Sequence, residues 1–332
     1  MRAIRFARAG GPEVLELVDL PAPEPAAGEV LVAVEHAGVN FIDTYHRTGL
    51  YPVPLPSGIG LEGVGVVTAV GDGVVDRRVG QRVAWADRLG SYAEAVTVAA
   101  DRTVVVPAGL APATACALML QGMTAHYLAA STFPLSEGRT ALVYAAAGGV
   151  GRLLVQLAAQ RGARVLACTS SEEKAAAVRA LGAAETIPYR EVDVAARVRE
   201  LTGGVGADVV YDSVGAATWR ASLAAARPRG TVVFYGNASG PIPPMDLQEL
   251  ARHGSLFTTR PRLGDHVATP EELSWRAGVL FDLAASGRLD VHVHGHRALA
   301  DAAAAQAELE SGTTSGKLLL DARDAAGDAG DA

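Results

Sequence analysis

The central part of the chain alternates short apolar runs with stretches whose apolar residues recur at helical spacing. Residues Ala141–Tyr144 are apolar throughout, as in a strand buried on both faces. A turn of small residues follows, and then Val150, Leu153, Leu154 and Leu157 recur with the period of an amphipathic helix. A glycine-rich turn between a strand and a helix indicates dinucleotide binding.

The same alternation continues for about a hundred residues. Further strands are predicted at Arg164–Cys168, Val209–Asp212 and Thr231–Tyr235. Helical stretches separate them, namely Glu172–Ala180, Val192–Leu201 and Trp219–Ala226. Strands that alternate with helices imply right-handed crossovers and a parallel sheet. The pattern therefore predicts an α/β fold with a Rossmann doubly wound parallel-sheet domain over residues 122–290.

The first 120 residues are rich in Val, Gly and Pro and show a different pattern. Short strand-like runs are separated by turn signals, and they cover Glu29–Glu35, Gly63–Thr68, Gln81–Trp85, Ala95–Val98 and Thr103–Val106. This spacing is typical of an all-β barrel or sandwich. Residues Ala115–Ala129 are predicted to form one long helix that joins the two domains.

The end of the chain is predicted to return to the β-rich domain. Helices are expected over Glu271–Ser286 and Leu299–Glu310, a strand over Leu289–Val293, and a last strand over Lys317–Leu320. The β-rich domain is therefore assigned residues 1–121 and 291–322. Residues 323–332 are small and acidic, and we expect them to be disordered.

Composition excludes several classes of function. The 332 residues carry a net charge of -7, with a pI of about 5.6 and scattered Lys and Arg, which argues against nucleic-acid and anionic-membrane partners. No apolar run reaches the ~20 residues of a membrane span, and the chain starts directly on a strand-like segment, so a cytoplasmic enzyme is expected. Cys116 and Cys168, the only cysteines, lie in apolar stretches and are expected to be buried thiols.

The glycine turn and the end of the second strand point to NADPH. The turn reads A-x-G-x-x-G from Ala146 to Gly151, and its glycines would bring backbone N–H groups of a helix N-terminus against a pyrophosphate. A tight turn that only packs helix on strand is the alternative. NAD-selective sites place an acid at the end of the second strand, where this chain has Ser170 and Ser171. Lys174 could pair with a 2′-phosphate, or it is simply a solvated helix residue.

Two glutamates on the same helix work against this interpretation. Glu172 or Glu173 would favour NAD if either turned towards the ribose. We expect both to point outward and to support the N-terminus of their helix through its dipole.

The order of the domains resembles the plan of medium-chain dehydrogenase/reductases. In that plan a β-rich domain comes first, a Rossmann domain follows, and the end of the chain returns to the β-rich domain. Within that family the sequence closely resembles NADPH-dependent quinone oxidoreductases, the zinc-free branch that includes zeta-crystallin. The matching stretches are Ala37–Tyr45, Gly49–Pro52, Leu120–Tyr127, Ala145–Gly151, Tyr211–Gly215 and Gly236–Gly240. The resemblance implies a GroES-like catalytic domain, an active-site groove between the domains and a quinone or enone as substrate. It also implies a homodimer through the Rossmann domain, with Gly254–Thr259 as the edge strand.

The resemblance also implies which residues form the site. The catalytic candidates are Asn40, Asp43, Tyr45, Tyr51 and Thr124. The cofactor-binding candidates are Asn40, Thr124, Tyr127, Gly148, Gly149, Val150, Ser170, Ser171, Lys174, Tyr189, Ser213, Phe234, Tyr235, Gly236, Asn237 and Lys317. Two of these roles have alternatives, because Tyr51 could be an apolar wall and Asp43 a structural residue that holds its loop.

No catalytic metal is expected. Zinc-using relatives have a Cys and a Gly-His-Glu stretch where this chain has Asn40 and Leu61. The isolated histidines His36, His46 and His126 are conceivable ligands, but such residues are mostly surface or hydrogen-bonded groups. His292, His294 and His296 alternate and should share one face of a strand. Three surface imidazoles are the better interpretation there, and a weak metal site is the alternative.

Direct hydride transfer from NADPH to an electron-poor acceptor needs no Lewis acid, whereas alcohol–ketone exchange benefits from one. Quinone reduction is therefore the predicted activity. The alternatives are an enoyl-thioester or alkenal/enone reductase and a non-catalytic NADPH-binding structural or sensing protein.

Overall fold

The computed structural model describes residues 1–322, and the predicted disordered segment 323–332 lies outside the described residues. The chain divides into two compact units. The first unit contains Met1–Met123 and the residues from Val267 onward, and the second unit contains Thr124–His266. None of the described helices is long and apolar enough to cross a membrane.

The strands, in chain order, are β1 Arg2–Phe6, β2 Glu16–Asp19, β3 Glu29–Val39, β4 Ser57–Gly58, β5 Glu62–Val70, β6 Arg82–Ala86, β7 Ala95–Ala99, β8 Thr103–Val105, β9 Thr140–Val143, β10 Arg164–Thr169, β11 Glu185–Pro188, β12 Ala207–Asp212, β13 Ala226–Phe234, β14 Phe257–Thr259, β15 Val293–Ala298 and β16 Lys317–Asp321. The α-helices are α1 Phe41–Arg47, α2 Pro112–Ala117, α3 Met123–Tyr127, α4 Gly149–Gln160, α5 Glu172–Ala180, α6 Val194–Leu201, α7 Trp219–Ala225, α8 Gln248–Arg252, α9 Leu263–His266, α10 Pro270–Ala285 and α11 Ala302–Glu310. Short 3₁₀ helices cover Pro12–Val14, Ala100–Arg102 and Leu299–Asp301.

The second unit is built on a six-stranded parallel sheet in the order β11-β10-β9-β12-β13-β14. The central strands are buried on both faces, which explains why their sequences are apolar runs rather than alternating patterns. Counted from β9, this order is 3-2-1-4-5-6, the doubly wound order of dinucleotide-binding domains. Strands β10 and β11 follow on one side of β9, and β12, β13 and β14 follow on its other side. The position between β9 and β12 is therefore a topological switch point, where such sheets bind ligands. The predicted α/β fold with a Rossmann domain is confirmed.

The first unit contains two sheets. One is a three-stranded antiparallel sheet in the order β2-β1-β4. The other has seven strands in the order β15-β16-β3-β5-β6-β8, and β7 pairs with β3. Strand β16 lies antiparallel to β3, so the predicted return of Lys317–Leu320 to the β-rich part of the chain is confirmed.

The predicted strand at Leu289–Val293 was wrong, because strand β15 begins only at Val293. Arg288 and Leu289 instead donate their N–H groups to the carbonyl of Leu283, at 2.9 and 3.1 Å. These bonds close the end of helix α10, and Leu289 is buried as part of that turn.

The prediction of one continuous helix over Ala115–Ala129 was also wrong. Two π-helical turns, Leu118–Gly122 and Leu128–Thr132, interrupt it. Within the first of these turns the N–H of Leu120 donates to the carboxylate of Glu62 at 2.6 Å. A side chain that takes a backbone donor from the helical ladder is a recognised cause of such irregularity.

The Rossmann domain was expected to extend to residue 290, whereas the compact units divide before Val267. Arg102 donates to the carbonyl of Val267 at 2.7 Å, within the first unit. Helix α10 packs against the Leu118–Gly122 turn, where Leu280 lies so close to Gly122 that an added Cβ would be 3.2 Å from its Cδ1. The segment from Val267 to the end of α10 is therefore held by the first unit.

Candidate nucleotide and acceptor sites

The glycine turn at the switch point of the second unit brings a helix directly onto the strand that precedes it. Ala145 has a φ of 47°, which turns the chain sharply after β9. A Cβ on Gly151 would overlap the carbonyl oxygen of Ala145 and lie 2.7 Å from the Cα of Ala146, so only glycine fits there. Helix α4 begins at Gly149, and its first N–H groups have no intrahelical acceptor. This turn can bind a pyrophosphate.

The loop after β12 forms the other wall of the switch point. The buried Asp212 carboxylate accepts hydrogen bonds from the N–H of Val214 at 2.8 Å, the hydroxyl of Thr218 at 2.8 Å and the hydroxyl of Ser222 at 2.6 Å. These bonds fix the loop that carries Ser213. Asp212 was not among the site residues predicted from the sequence, although a lone acid at the end of an apolar strand is a recognisable signal.

The end of β13 approaches that loop closely. A Cβ on Gly236 would overlap the carbonyl oxygen of Ser213 and lie 2.9 Å from the Cα of Ser213. The backbone N–H of Tyr235 donates to the backbone carbonyl of Asp212 at 2.8 Å. Phe234, Gly236 and Asn237 therefore lie at the same edge of the sheet as Ser213.

Most of the predicted cofactor-binding residues in the second unit follow the carboxyl ends of parallel strands. They are Gly148, Gly149 and Val150 after β9, Ser170, Ser171 and Lys174 after β10, Tyr189 after β11, Ser213 after β12, and Phe234, Tyr235, Gly236 and Asn237 at the end of β13. Because the strands are parallel, these ends share one edge of the sheet. Thr124 and Tyr127 lie on α3, and the Tyr127 ring stacks on His266 with centroids 4.2 Å apart.

One cation follows β10 and a second follows the neighbouring strand β11. Ser171 caps helix α5 by accepting the N–H of Lys174 at 3.3 Å. Partial burial, and then the positive charge of Arg190, lower the pKa of the Lys174 ammonium group. Arg190 was missed by the sequence analysis, although it directly follows the predicted Tyr189, over whose ring its guanidinium lies at 5.7 Å from the centroid. Two neighbouring cations suit a doubly charged phosphate.

Both acids at the start of helix α5 are exposed, as expected. Glu172 pairs with Arg179 two turns further along the helix. A cleft of about 850 Å³ has Tyr189, Arg190 and Arg220 in its wall, whereas Lys174 does not line it.

The first unit contains a buried polar cluster around Asn40, Glu62 and Lys317. The Lys317 ammonium group pairs with the Glu62 carboxylate and donates to Asn40 Oδ1 at 2.8 Å. Asn40 Nδ2 donates to Glu62 at 2.7 Å, and Gln121 donates to Asn40 Oδ1 at 3.1 Å. A Cβ on Gly38 would lie 2.6 Å from Lys317 Cε, so glycine makes room for the pair. The predicted cofactor-binding residue Lys317 thus holds Asn40 and Glu62 in place.

Asp43 lies beside this cluster and is fully buried. Its Oδ2 accepts the N–H of Asn40 and the hydroxyl of Tyr92, both at 2.8 Å, while its Oδ1 has no hydrogen-bond partner. Burial raises the pKa of the Asp43 carboxyl to about 7. Tyr45 and Tyr51 form an edge-to-face pair on the same helix and its following loop, with ring centroids 5.2 Å apart.

The donors at the position of a family zinc site do not fit zinc. Asn40 offers an amide, Leu61 is a buried aliphatic residue, and both oxygens of Glu62 already accept hydrogen bonds, one of them from a lysine. The predicted shared face of three histidines was wrong as well. His294 contacts Glu308 on α11, whereas His296 contacts Asp321, because a bulge between Val293 and Gly295 changes the direction of the side chains.

Two family models match the chain. An "alcohol dehydrogenase GroES-like domain" model matches residues 26–131, and a "zinc-binding dehydrogenase" model matches residues 149–272. A quinone oxidoreductase of Pseudomonas aeruginosa is 47% identical over 321 residues, which are 96% of this chain and 99% of the relative. The chain belongs to the quinone oxidoreductases of the medium-chain dehydrogenase/reductase family.

Solved structures of this family share the whole fold. The quinone oxidoreductase of Escherichia coli, determined as a complex with NADPH, superposes with a TM-score of 0.95 at 41% identity, over 96% of this chain and 99% of that chain. A 2-haloacrylate reductase of a Burkholderia species is 40% identical over 94% of this chain and 96% of its own length. The resemblance that the sequence motifs indicated is thereby confirmed.

Proposed function

We propose that this chain is an NADPH-dependent quinone oxidoreductase that reduces quinones or other electron-poor enones without a metal. The observation that carries the proposal is the end of β10 in a quinone oxidoreductase fold. There Ser170 and Ser171 replace the acid of NAD-selective sites, and Lys174 lies beside Arg190.

The residues at the switch point fit a dinucleotide. The α4 N-terminus would bind the pyrophosphate, and the Lys174 and Arg190 side chains would bind the 2′-phosphate. Ser213 and Asn237 would contact the nicotinamide half. When bound, NADPH supplies the hydride, and the protein's task is to position it and exclude water.

In the first unit, we propose that Tyr51 contacts the acceptor and that Asn40 has a positioning role. The Asn40 Nδ2 donates to Glu62 and to the carbonyl of Gly38, and its Oδ1 accepts from Lys317 and Gln121, so the amide is held in one orientation with no donor left for a carbonyl oxygen. The Tyr51 hydroxyl could donate a hydrogen bond to the reduced product. An electron-poor acceptor takes up hydride without a Lewis acid, so a hydroxyl donor is sufficient.

The test is oxidation of NADPH and of NADH in the presence of 1,4-benzoquinone, 9,10-phenanthrenequinone or crotonyl-CoA. We expect rapid quinone reduction with NADPH, retained after dialysis against EDTA. Lys174→Ala should raise the KM for NADPH ~10- to 150-fold and change that for NADH little, because a charged hydrogen bond contributes about 1.5–3 kcal/mol. Arg179→Ala, on the same helix but paired with Glu172, is the matched control. Equal losses with both cofactors, or a preference of the wild type for NADH, would refute the cofactor assignment.

A second candidate is reduction of an activated alkene. The similarity to a 2-haloacrylate reductase supports it, since that name describes an alkene conjugated to a carboxyl group. Turnover of 2-chloroacrylate or crotonyl-CoA without quinone turnover would favour this candidate. Binding of NADPH with no turnover of any acceptor would favour a structural or sensing role.

We further propose a homodimer that forms through β14 and works in the cytoplasm. Strand β14 pairs only with β13 among the described strands, so its other edge is open, and Phe257 on it is 63% exposed. Both cysteines are buried free thiols, which fits a reducing compartment.

A further inference from the structure

Three neighbouring strands of the first unit place two histidines and one aspartate on the same face of the sheet. In the antiparallel register of β16 and β3, Asp321 lies directly opposite His36. In the parallel register of β15 and β16, Asp321 lies opposite Ala298, two residues after His296. Side chains two residues apart on a strand point to the same side, so His296 and Asp321 share the face of His36. We call this group the His-His-Asp cluster.

The three side chains converge on one point. The Nδ1 atoms of His36 and His296 each lie 2.8 Å from Oδ1 of Asp321, and the imidazole rings meet edge to face with centroids 5.3 Å apart. The ligand atoms of all three residues lie within 4.8 Å of one another. Among residues 1–322, this is the one group of three His, Cys, Asp or Glu side chains that meets such a distance.

We propose that the His-His-Asp cluster binds one divalent transition-metal ion, with zinc as its ordinary occupant. Two imidazoles and a carboxylate are a ligand set that suits Zn²⁺, Ni²⁺, Co²⁺ and Cu²⁺, whereas Mg²⁺ and Ca²⁺ prefer oxygen alone. Ligands at about 2.0–2.2 Å from a metal lie about 3–4 Å from each other, so each Nδ1 has to move away from Asp321 Oδ1 by roughly half an ångström to admit the ion. Each imidazole then coordinates through the nitrogen that faces Asp321, and the proton on that nitrogen moves to the other ring nitrogen through solvent.

The surroundings favour such an ion. The side chains of His36, His296 and Asp321 are 22%, 41% and 38% exposed, so water can reach the ion and complete its coordination. Two arginines close in sequence or strand order to the cluster pair with other carboxylates, Arg297 with Glu308 and Arg82 with Glu35. The carboxylate is therefore left to neutralise part of the metal charge.

The role of this site would be structural. The ion would connect β3 to β15 across β16, and so tie the returning end of the chain to the first unit. This role is separate from hydride transfer, because none of the three residues is among those proposed to hold NADPH or the acceptor.

The test is isothermal titration of the full-length protein with Zn²⁺ after removal of metal by EDTA. We expect one equivalent to bind with a micromolar or lower Kd, and the Tm to rise with added Zn²⁺. His36→Asn, His296→Asn and Asp321→Asn should each weaken binding at least tenfold. His294→Asn is the matched control, since His294 lies on the same strand but contacts Glu308, and it should bind as the wild type does.

Two further measurements keep the proposal falsifiable if a variant is unstable. The metal-free Tm of each variant shows whether it folds, and Cu²⁺ electron paramagnetic resonance of the wild type should show coupling to two imidazole nitrogens. No saturable binding, or equal Zn²⁺ affinity in wild type, His36→Asn and His296→Asn, would overturn the proposal. Quinone reductase activity of His296→Asn should equal that of the wild type with and without Zn²⁺.

Discussion

At the scale of single residues, the ion pair of Glu62 and Lys317 lies at the centre of the buried polar cluster in the first unit. Both side chains are almost completely buried, at 0% and 2% exposure. Taking two charges out of water costs several kcal/mol each, which their mutual attraction and further hydrogen bonds must offset. Here Asn40 and the N–H of Leu120 provide those further bonds, so the pair orients Asn40 and shapes the Leu118–Gly122 turn.

We predict that loss of one partner is much worse than loss of both. Lys317→Met leaves a buried carboxylate without its cation and should lower the free energy of unfolding by about 3–5 kcal/mol, whereas Lys317→Met combined with Glu62→Gln should recover part of it. Urea denaturation measures the free energy of unfolding of the single and the double variant. Glu200→Gln, which removes an exposed pair with Arg197, is the control and should change little. Strict additivity of the two buried substitutions would contradict the prediction.

Asp43 is the residue whose environment makes stability depend on pH. Its folded pKa of about 7 lies above the ordinary 3.8, because burial disfavours the carboxylate and Oδ1 has no donor. The folded protein therefore holds this proton at pH values where the unfolded chain has lost it. The stabilisation is complete below about pH 4 and is lost as the pH rises through about 7.

We predict that Asp43→Asn removes this dependence. Between pH 4 and 7.5 the unfolding free energy of the wild type should fall relative to the variant, by up to about 4 kcal/mol. Urea denaturation of both proteins across this range measures the difference, in which the other titrating groups cancel. Parallel curves would show that the Asp43 carboxyl is ionised in the folded protein at pH 4.

At the scale of elements, the start of α4 depends on one glycine. The helix can reach the strand end only because Gly151 has no side chain, and this contact positions the N–H groups that we propose for the pyrophosphate. The apolar periodicity of α4 fixes which face packs on the sheet, but the glycine decides how closely.

We predict that Gly151→Ala weakens NADPH binding at least ~10-fold and lowers stability by about 1–3 kcal/mol, because the added methyl pushes the helix away from Ala146. Gly278→Ala is the matched control. Gly278 lies in helix α10 with open space around its Cβ position, so alanine there should raise stability by up to about 1 kcal/mol. Titration of NADPH by intrinsic fluorescence and thermal denaturation measure the two effects. Unchanged NADPH affinity in Gly151→Ala would refute the proposed role of the turn.

At the scale of the whole molecule, the open edge of β14 is where a second copy would pair. Two such edges would join the six-stranded sheets of two copies into one continuous sheet. An exposed edge with a large aromatic residue is otherwise prone to aggregation, so a defined partner is physically favoured.

We predict that the wild type is a dimer in solution and that Phe257→Lys makes it monomeric. A lysine on an edge strand disfavours pairing with another edge. Light scattering coupled to size-exclusion chromatography gives the mass. Val75→Lys, a substitution at a residue that is 94% exposed in a loop, should leave the dimer intact. A dimer that survives Phe257→Lys, or a monomeric wild type, would contradict the use of this edge.

The sequence by itself determined the family and most elements of the second unit. Helix Glu172–Ala180 was predicted to the residue, and the predicted bounds of β9, β10 and β12 lie close to the observed ones. The start of β13 was missed, and no bounds were predicted for β11. Apolar periodicity and glycine turns are local signals, because they reflect how neighbouring residues share a face or turn the chain. Most of the cofactor residues around the switch point were named through the family resemblance, and their contacts with NADPH stay a prediction.

Only the tertiary structure decided which distant side chains meet. Lys317 pairs with Glu62 across 255 residues, and His36 meets Asp321 across 285. Both contacts exist because β16 lies next to β3, and no local spacing encodes which strands become neighbours. The π-helical turn Leu118–Gly122 also depends on a long-range contact, because the carboxylate that accepts the Leu120 N–H belongs to Glu62 on strand β5. The long-range pairing of strands therefore determines which side chains form these contacts, and local sequence patterns do not predict that pairing.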